Sequence, residues 1–320
     1  MDLSLDNDGI ATEGSNRGGH PGALPAGFSA ITALTDSVGP VVGDAEALFD
    51  FVCANPRLFV LTGAGISAGS GIPTYRDHDA RWQNRAPITH QEFVGSESSR
   101  RRYWARSMAG WPLMGRAHPN AAHRALASMQ QADRIHGLVT QNVDGLHQQA
   151  GSSGVIELHG NVREVCCLGC NHRLARADVQ AGLAMLNPDF AEPGARIAPD
   201  GDADIEPPTG DFRIPSCPEC GGMLKPDVVF FGANVPRSRV DDAFALLDAA
   251  DAMLVVGSSL MVYSGFRFCE RAAASGKPIA SINQGRTRAD ELFAIKIEDD
   301  CMSVLPALAA RFALSSRSLG

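Results

Sequence analysis

Apolar positions in this chain fall into short continuous runs and amphipathic stretches that alternate from about residue 44 onward. Residues 58–61, 253–256, 279–282 and 294–297 are mostly apolar runs of strand length, and Ile135–Thr140 reads as a strand as well. Such runs read as strands buried on both faces, as in a parallel sheet. Residues 155–158 and 228–231 read as two further strands. Between the runs the spacing changes to a helical period. It predicts a helix through Ala54 with Asp44 as its N-cap, and helices over 120–131, 236–249, 263–275 and 303–313. Strands alternating with helices predict an α/β fold with a doubly wound, Rossmann-like parallel sheet.

Two stretches break the alternation and predict a smaller domain built from two insertions. Residues 77–118 carry Trp82, Trp104 and Trp111 with many arginines, and read as a helical insertion. Residues 161–225 hold paired cysteines and read as a zinc-binding insertion, with the Asp/Pro/Gly-rich residues 187–215 as a long surface loop. Residues 41–76, 119–160 and 226–320 then form the main domain. Residues 1–40 are aperiodic and rich in Gly, Asp, Ser and Thr, which predicts a disordered tail.

Composition narrows the function classes. The chain has 320 residues and a net charge of −8, with no basic stripe, which argues against nucleic acid as a partner. Arg100-Arg101-Arg102, the densest basic run, reads as a solvated helix face. No apolar segment is long enough to span a bilayer, and the polar, acidic N-terminus does not read as a secretory signal. Eight cysteines in that context suggest metal or thiol chemistry in a reducing compartment, so the expectation is a cytoplasmic enzyme. A monomer is the default assembly, which no residue pattern here decides. Cys53 and Cys269 fall within helical patterns and read as core residues.

Three groups of residues carry chemistry. Gly63-Ala64-Gly65, with Ala68 following, ends the first apolar run in a turn whose backbone N–H groups can approach a pyrophosphate. Gly69, Gly71 and Pro73 then disfavour a regular helix, and predict a mobile loop carrying Arg76. Cys167 and Cys170 form one C-x-x-C knuckle, and Cys217 and Cys220 another. Together they complete a closed, structural zinc site, with Cys166 packed nearby. Gln141, Asn142 and Asp144 follow a strand end, where doubly wound sheets bind ligands. His159 ends the next short strand and is a candidate general base, since an ordinary imidazole titrates near working pH.

These segments occur together with Ser70-Gly71-Ile72-Pro73, Leu158-His159-Gly160, Lys225-Pro226-Asp227-Val228-Val229-Phe230-Phe231-Gly232, Gly257-Ser258-Ser259-Leu260 and Asn283-Gln284-Gly285. In this order, over about residues 41–315, the set resembles the sirtuins, NAD-dependent protein deacylases. Tyr103-Trp104-Ala105-Arg106 and Gly110-Trp111-Pro112 look like the class II branch of that family. The resemblance implies transfer of an acyl group from lysine to ADP-ribose, with release of nicotinamide. It implies that Gly63, Ala64, Gly65, Gly257, Ser258 and Ser259 hold the NAD phosphates, and that Asn283, Gln284, Gly285 and Cys301 lie at the adenosine end. Ile72, Asn142 and Asp144 would line the nicotinamide pocket, Arg76 would close over the phosphates, and Gln141 would orient the ribose. Asn142 and His159 would be catalytic. The acyl-lysine substrate would add as an extended strand along Val229, Phe230, Phe231, Gly232, Leu260 and Val262. Tyr103 and Arg106 share a helix face and match a pair that one branch uses for acidic acyl groups; a packed tyrosine and a surface arginine is the plainer reading. Mono-ADP-ribosyl transfer, or a preference for lipoyl or succinyl groups, is the alternative activity.

Overall fold

The computed structural model describes residues 41–317, apart from residues 80, 82, 84–86, 191–196 and 204–209. The expected tail, residues 1–40, lies outside the described residues. The elements begin with β1 (Val41–Val42), α1 (Ala45–Ala54), β2 (Leu58–Thr62), α2 (Ala64–Ser67), α3 (His90–Gly95), α4 (Glu97–Arg116), α5 (Ala121–Gln131) and β3 (Ile135–Thr140). Next come α6 (Leu146–Gln149), β4 (Ile156–Glu157), β5 (Gly160–Cys167), β6 (Arg173–Ala175), α7 (Arg176–Leu186) and β7 (Leu224–Val228). The chain continues with α8 (Arg237–Ala249), β8 (Ala252–Val256), α9 (Tyr263–Ala274), β9 (Ile279–Ile282), β10 (Ile295–Ile297) and α10 (Cys301–Arg317).

Seven of these strands pair in parallel in the order β1-β10-β9-β8-β2-β3-β4. The two-residue period of a strand sorts their side chains into two cores. Leu58, Val60, Leu254 and Val256 face α1, α5 and α10, whereas Phe59, Leu61, Met253 and Val255 face α8 and α9. Helices on both faces make the sheet doubly wound. From β2 the chain builds toward β3 and β4 on one side, while β8, β9 and β10 lie on the other. The C-terminal ends of β2, β3 and β8 therefore meet at the topological switch point, where such sheets bind ligands.

The second sheet is antiparallel, in the order β6-β5-β7. It corrects the expected strand over 228–231. The strand is Leu224–Val228 and belongs to this small sheet, while Phe231 makes only an isolated bridge to Thr89. Pairing with β5 takes up Leu224–Val228, and the chain then leaves the ladder to line the cleft described below.

The helical and zinc insertions are joined through a buried arginine. Arg176 of α7 is fully buried between Trp104 and Trp111 of α4, and donates to the Ser107 carbonyl and hydroxyl, each at 3.1 Å. Pro112 within α4 cannot donate to the Met108 carbonyl, which instead accepts from Gln180 Nε2 at 3.0 Å. The missing helical bond is thus replaced by a bond to the neighbouring helix.

Three other expectations change. Cys53 is exposed rather than in the core, because it lies on the outer side of α1, away from Leu48, Phe51 and Val52. The Arg100–Arg102 run is not a uniformly solvated face: Arg100 donates to the Phe93 and Val94 carbonyls that end α3. Among the described parts of 187–215, Asp202 and Ala203 are buried against α4, so this stretch is not simply a surface loop. No helix among the described residues is long and apolar enough to cross a membrane.

Candidate active site

A cleft of about 670 Å³ opens at the switch point. Its floor is made by backbone approach. Gly65 N–H donates to the Gly257 carbonyl at 2.8 Å, and a Cβ on Gly65 would stand 2.8 Å from the Gly257 Cα. Two strand ends can meet this closely only without side chains, and the Gly63 and Gly65 N–H groups are spent on the Val256 and Gly257 carbonyls. After the turn the helix lasts only from Ala64 to Ser67 and tightens over Ala68–Ser70, in keeping with the glycines and proline that follow.

Gln141 and Asn142 leave the end of β3 beside this floor. Gln141 Nε2 donates to Ser258 Oγ at 2.8 Å. Asn142 Nδ2 donates to the Gly63 carbonyl and to Ser67 Oγ, both at 3.0 Å, so its amide is held in one orientation. Ser67 in turn donates to Asp144 Oδ2 at 2.7 Å, and Leu146 N–H donates to Asp144 Oδ1 at 2.9 Å. Burial raises the Asp144 pKa, against the pull of those donors. Behind them, Thr62 Oγ1 bridges Thr140 Oγ1 and the buried His147 Nε2.

His159 stands on the cleft wall at the start of the small sheet. Gly160 follows it with φ +85°, and a Cβ there would lie 1.9 Å from the Asp227 carbonyl oxygen, so glycine is needed for β5 to meet β7. The ring is oriented at both nitrogens. Nδ1 lies 2.8 Å from the Gln141 carbonyl, which can only accept, so the proton belongs on Nδ1. Nε2 then accepts from Ser264 Oγ, also at 2.8 Å. Burial, with the Arg267 and Arg239 charges, lowers the imidazole pKa to about 4, although the Gln141 carbonyl pulls it the other way. The sequence expectation of titration near working pH is corrected: the ring is neutral well below pH 7, with its basic lone pair on Nε2.

The cleft also brings together Ile72, Arg76, Ser259, Asn283, Gln284 and Cys301. Burial pushes the Cys301 thiol up to about 12. Gly285 does not line the cleft; it lies under the His78 backbone, whose carbonyl accepts from Arg286 N–H at 3.0 Å. Val229 through Gly232 form one lip, and Leu260 and Val262 the other. Tyr103 and Arg106 lie behind the wall. Tyr103 is buried against Phe93 and Phe230, and Arg106 is no surface residue, since it pairs with Asp202 at 2.5 Å. Sequence reasoning assigned no role to Ser264 or Asp202, whose contacts with His159 and Arg106 join distant parts of the chain.

The four knuckle sulfurs lie within 4.8 Å of one another, with Cys167–Cys220 at 3.5 Å and Cys170–Cys217 at 3.7 Å. A tetrahedron with Zn–S bonds of about 2.3 Å has edges of about 3.8 Å, so the four sulfurs fit one zinc ion. Cys166, whose side chain belongs to the adjacent strand position, is not in this cluster.

Residues 63–264 match the Sir2 family. The chain belongs to that family. A Sir2 relative from Xanthomonas axonopodis pv. citri (strain 306), called an NAD-dependent protein deacetylase, is 55% identical over 268 residues, covering 83% of this chain and 92% of its own. One of the same name from Bordetella bronchiseptica is 54% identical over 265 residues, covering 82% of this chain and 97% of its own. Among solved structures, a Sir2 with a p53 peptide and NAD+ superposes with TM-score 0.68 at 29% identity, over 85% of this chain and 100% of that one.

Proposed function

We propose that the cleft removes acyl groups from protein lysines at the expense of NAD. The protein is an NAD-dependent protein deacetylase of the Sir2 family, with NAD and one structural zinc as its cofactors. NAD supplies a nicotinamide leaving group and a ribose hydroxyl that receives the acyl group. The side-chain-free floor at Gly63, Gly65 and Gly257 suits a pyrophosphate, and Ser258 and Ser259 stand beside it. Ile72, Asn142 and Asp144 would take the carboxamide ring, Gln141 the ribose, and Asn283 and Gln284 the adenosine end, with Cys301 nearby. Gly285 would act only by shaping the turn. Arg76 would close over the phosphates.

The observation that carries this reading is the His159 ring on the cleft wall, its proton fixed on Nδ1 by the Gln141 carbonyl and its lone pair on Nε2. Nε2 is the atom that would accept a proton from a hydroxyl presented in the cleft, in place of its bond to Ser264 Oγ. Asn142, fixed by two acceptors, orients the reacting end without moving. The lips at 229–232 and 260–262 suit an extended peptide laid between them. Tyr103-Trp104-Ala105-Arg106 and Gly110-Trp111-Pro112 support the class II branch. Paired cysteines grouped to hold a metal ion suit a reducing compartment such as the cytoplasm.

Incubation with NAD and an acetyl-lysine peptide tests the reading. Nicotinamide, free lysine peptide and acetyl-ADP-ribose are expected in equal amounts, and His159→Tyr is expected to abolish them while the protein remains folded. ADP-ribosylated protein in place of acetyl-ADP-ribose would favour the transferase instead.

A further inference from the structure

The peptide lip is held from behind by the entry to α3. A capping box starts that helix: Thr89 Oγ1 accepts from Glu92 N–H at 3.2 Å, and Glu92 Oε2 accepts from Thr89 N–H at 2.8 Å. Thr89 bridges Phe231 in parallel register. His90 N–H, one of the donors that a helix start leaves without an internal partner, donates to the Phe231 carbonyl at 2.8 Å. Gln91 Nε2 donates to the next carbonyl, that of Gly232, at 3.0 Å. Within the lip, Ala233 N–H closes a tight turn on the Phe230 carbonyl at 3.0 Å, with Gly232 at φ +75°. Phe230 anchors the turn below, edge to face with Phe93 at 5.2 Å. A peptide unit is planar and trans, so with the Phe231 carbonyl directed at α3 the Gly232 N–H points the opposite way. Among the described residues, that N–H donates to no other group.

We propose that Gln91 is a positioning residue for the acyl-lysine peptide: with His90 it fixes both carbonyls of the lip turn, so that the Gly232 N–H is aimed away from α3 and at an added strand. The proposal rests on the deacylase reading and names the element of the helical insertion through which that site recognises its peptide. A turn with glycine at its third position can flip its middle peptide unit, because glycine adopts either sign of φ. A flip would turn the Phe231 carbonyl to the side where an added strand needs a donor. The His90 bond opposes the flip directly, and Gln91 opposes it by holding the carbonyl on the far side of Gly232. The fit between the two is close, since a Cβ on Gly232 would stand 2.5 Å from Gln91 Oε1. Gln91 itself is exposed and does not line the cleft, so it acts on the substrate only through the lip.

A labelled acetyl-lysine peptide followed by fluorescence anisotropy without NAD tests this, together with the KM for peptide and for NAD from nicotinamide release. Gln91→Met keeps most of the bulk and removes the donor. It is expected to raise the peptide Kd and KM about fivefold, the worth of one hydrogen bond, and to leave kcat, the NAD KM and the melting temperature as in the wild type. Gln91→Ala should match it. Gly232→Ala already pushes Gln91 Oε1 away from the turn, so adding Gln91→Met there should cost less than about twofold. An unchanged peptide Kd in Gln91→Met would overturn the proposal, and so would the same fivefold cost in the Gly232→Ala background. A joint rise in peptide and NAD KM with a lower melting temperature would also overturn it, because that marks general loosening. Each of these results leaves the deacylase reading intact. A wild-type protein that neither binds the peptide nor releases nicotinamide would overturn both.

Discussion

Replacing Gly265 with alanine should separate stability from activity. Gly265 lies in the first turn of α9, and a Cβ there would stand 2.5 Å from Gln141 Oε1 and 2.8 Å from its Cδ. The Gln141 side chain must therefore retreat by roughly 0.9 Å to reach ordinary contact at 3.4 Å. Its bond to Ser258 Oγ is then lost, at about 1 kcal/mol. Against this, alanine in a helix is favoured over glycine by up to about 1 kcal/mol. The two effects nearly cancel, so the melting temperature should change by no more than about 4 °C. Activity has no such compensation. The Gln141 backbone still holds Thr62 and His159, so only the side chain is displaced from the ribose side of the cleft. A displacement of about 1 Å in a positioning group can cost up to about 100-fold, and kcat/KM for NAD should fall roughly 10- to 100-fold. The assay pairs thermal melting with nicotinamide release, using Gln141→Ala as the reference for loss of the side chain. Activity within twofold of wild type in a folded Gly265→Ala protein would refute the reasoning. So would a fall of more than about 8 °C, because it would mean that the backbone rather than the side chain had moved.

Other outcomes follow from the same geometry. Because the His159 pKa is lowered to about 4, the ring stays neutral as pH falls through the ordinary histidine range and loses its basic form only near pH 4. The acidic limb of kcat/KM should therefore lie below about pH 5, and a limb centred near 6.5 would contradict the burial argument. Removing zinc with a chelator should lower the melting temperature and detach β5 from β7, since structural zinc affinity is folding free energy; an unchanged melt would count against the site. Gln180→Ala should destabilise by about 1–3 kcal/mol, because both the Met108 carbonyl and the buried Arg176 Nη1 lose Gln180 as a partner. Adding Pro112→Ala should recover the Met108 share of that loss, because residue 112 regains an N–H to donate; equal destabilisation in the single and double variants would show that the proline is not responsible.

The parallel sheet was legible because its strands are apolar at consecutive positions, so both faces announce burial. The zinc site was legible from spacing alone. The small sheet was harder: residues 224–228 contain Lys225, Pro226 and Asp227, a composition that conceals a strand, while the more apolar 229–231 line a cleft. Burial of Lys225 is made tolerable by the Pro226 and Val228 carbonyls and the Phe230 ring, which no periodicity reports. At the cleft, the residues the sequence singled out lie beside glycine turns, and those brought in by tertiary folding carry no such mark. Ser264 acts on His159 across 105 positions, and Asp202 acts on Arg106 across 96. Gly285, with φ +82° under the His78 backbone, shows that a turn glycine in a motif also serves the backbone beside it.

The β5–β7 pair has a consequence for how such an enzyme can diversify. One end of this two-railed ladder abuts the imidazole, where Val229 N–H reaches the His159 carbonyl at 2.8 Å, and the other end is clasped where Cys167 faces Leu224. Everything between the rails, residues 168–223, hangs from the clasped end. Apart from Cys170, Cys217 and Cys220, β6 on β5 and Arg176 on α4, its length and sequence can vary while the rungs beside the imidazole stay in register. Chemistry is anchored at one end of the ladder, and taste in substrates is free to vary at the other.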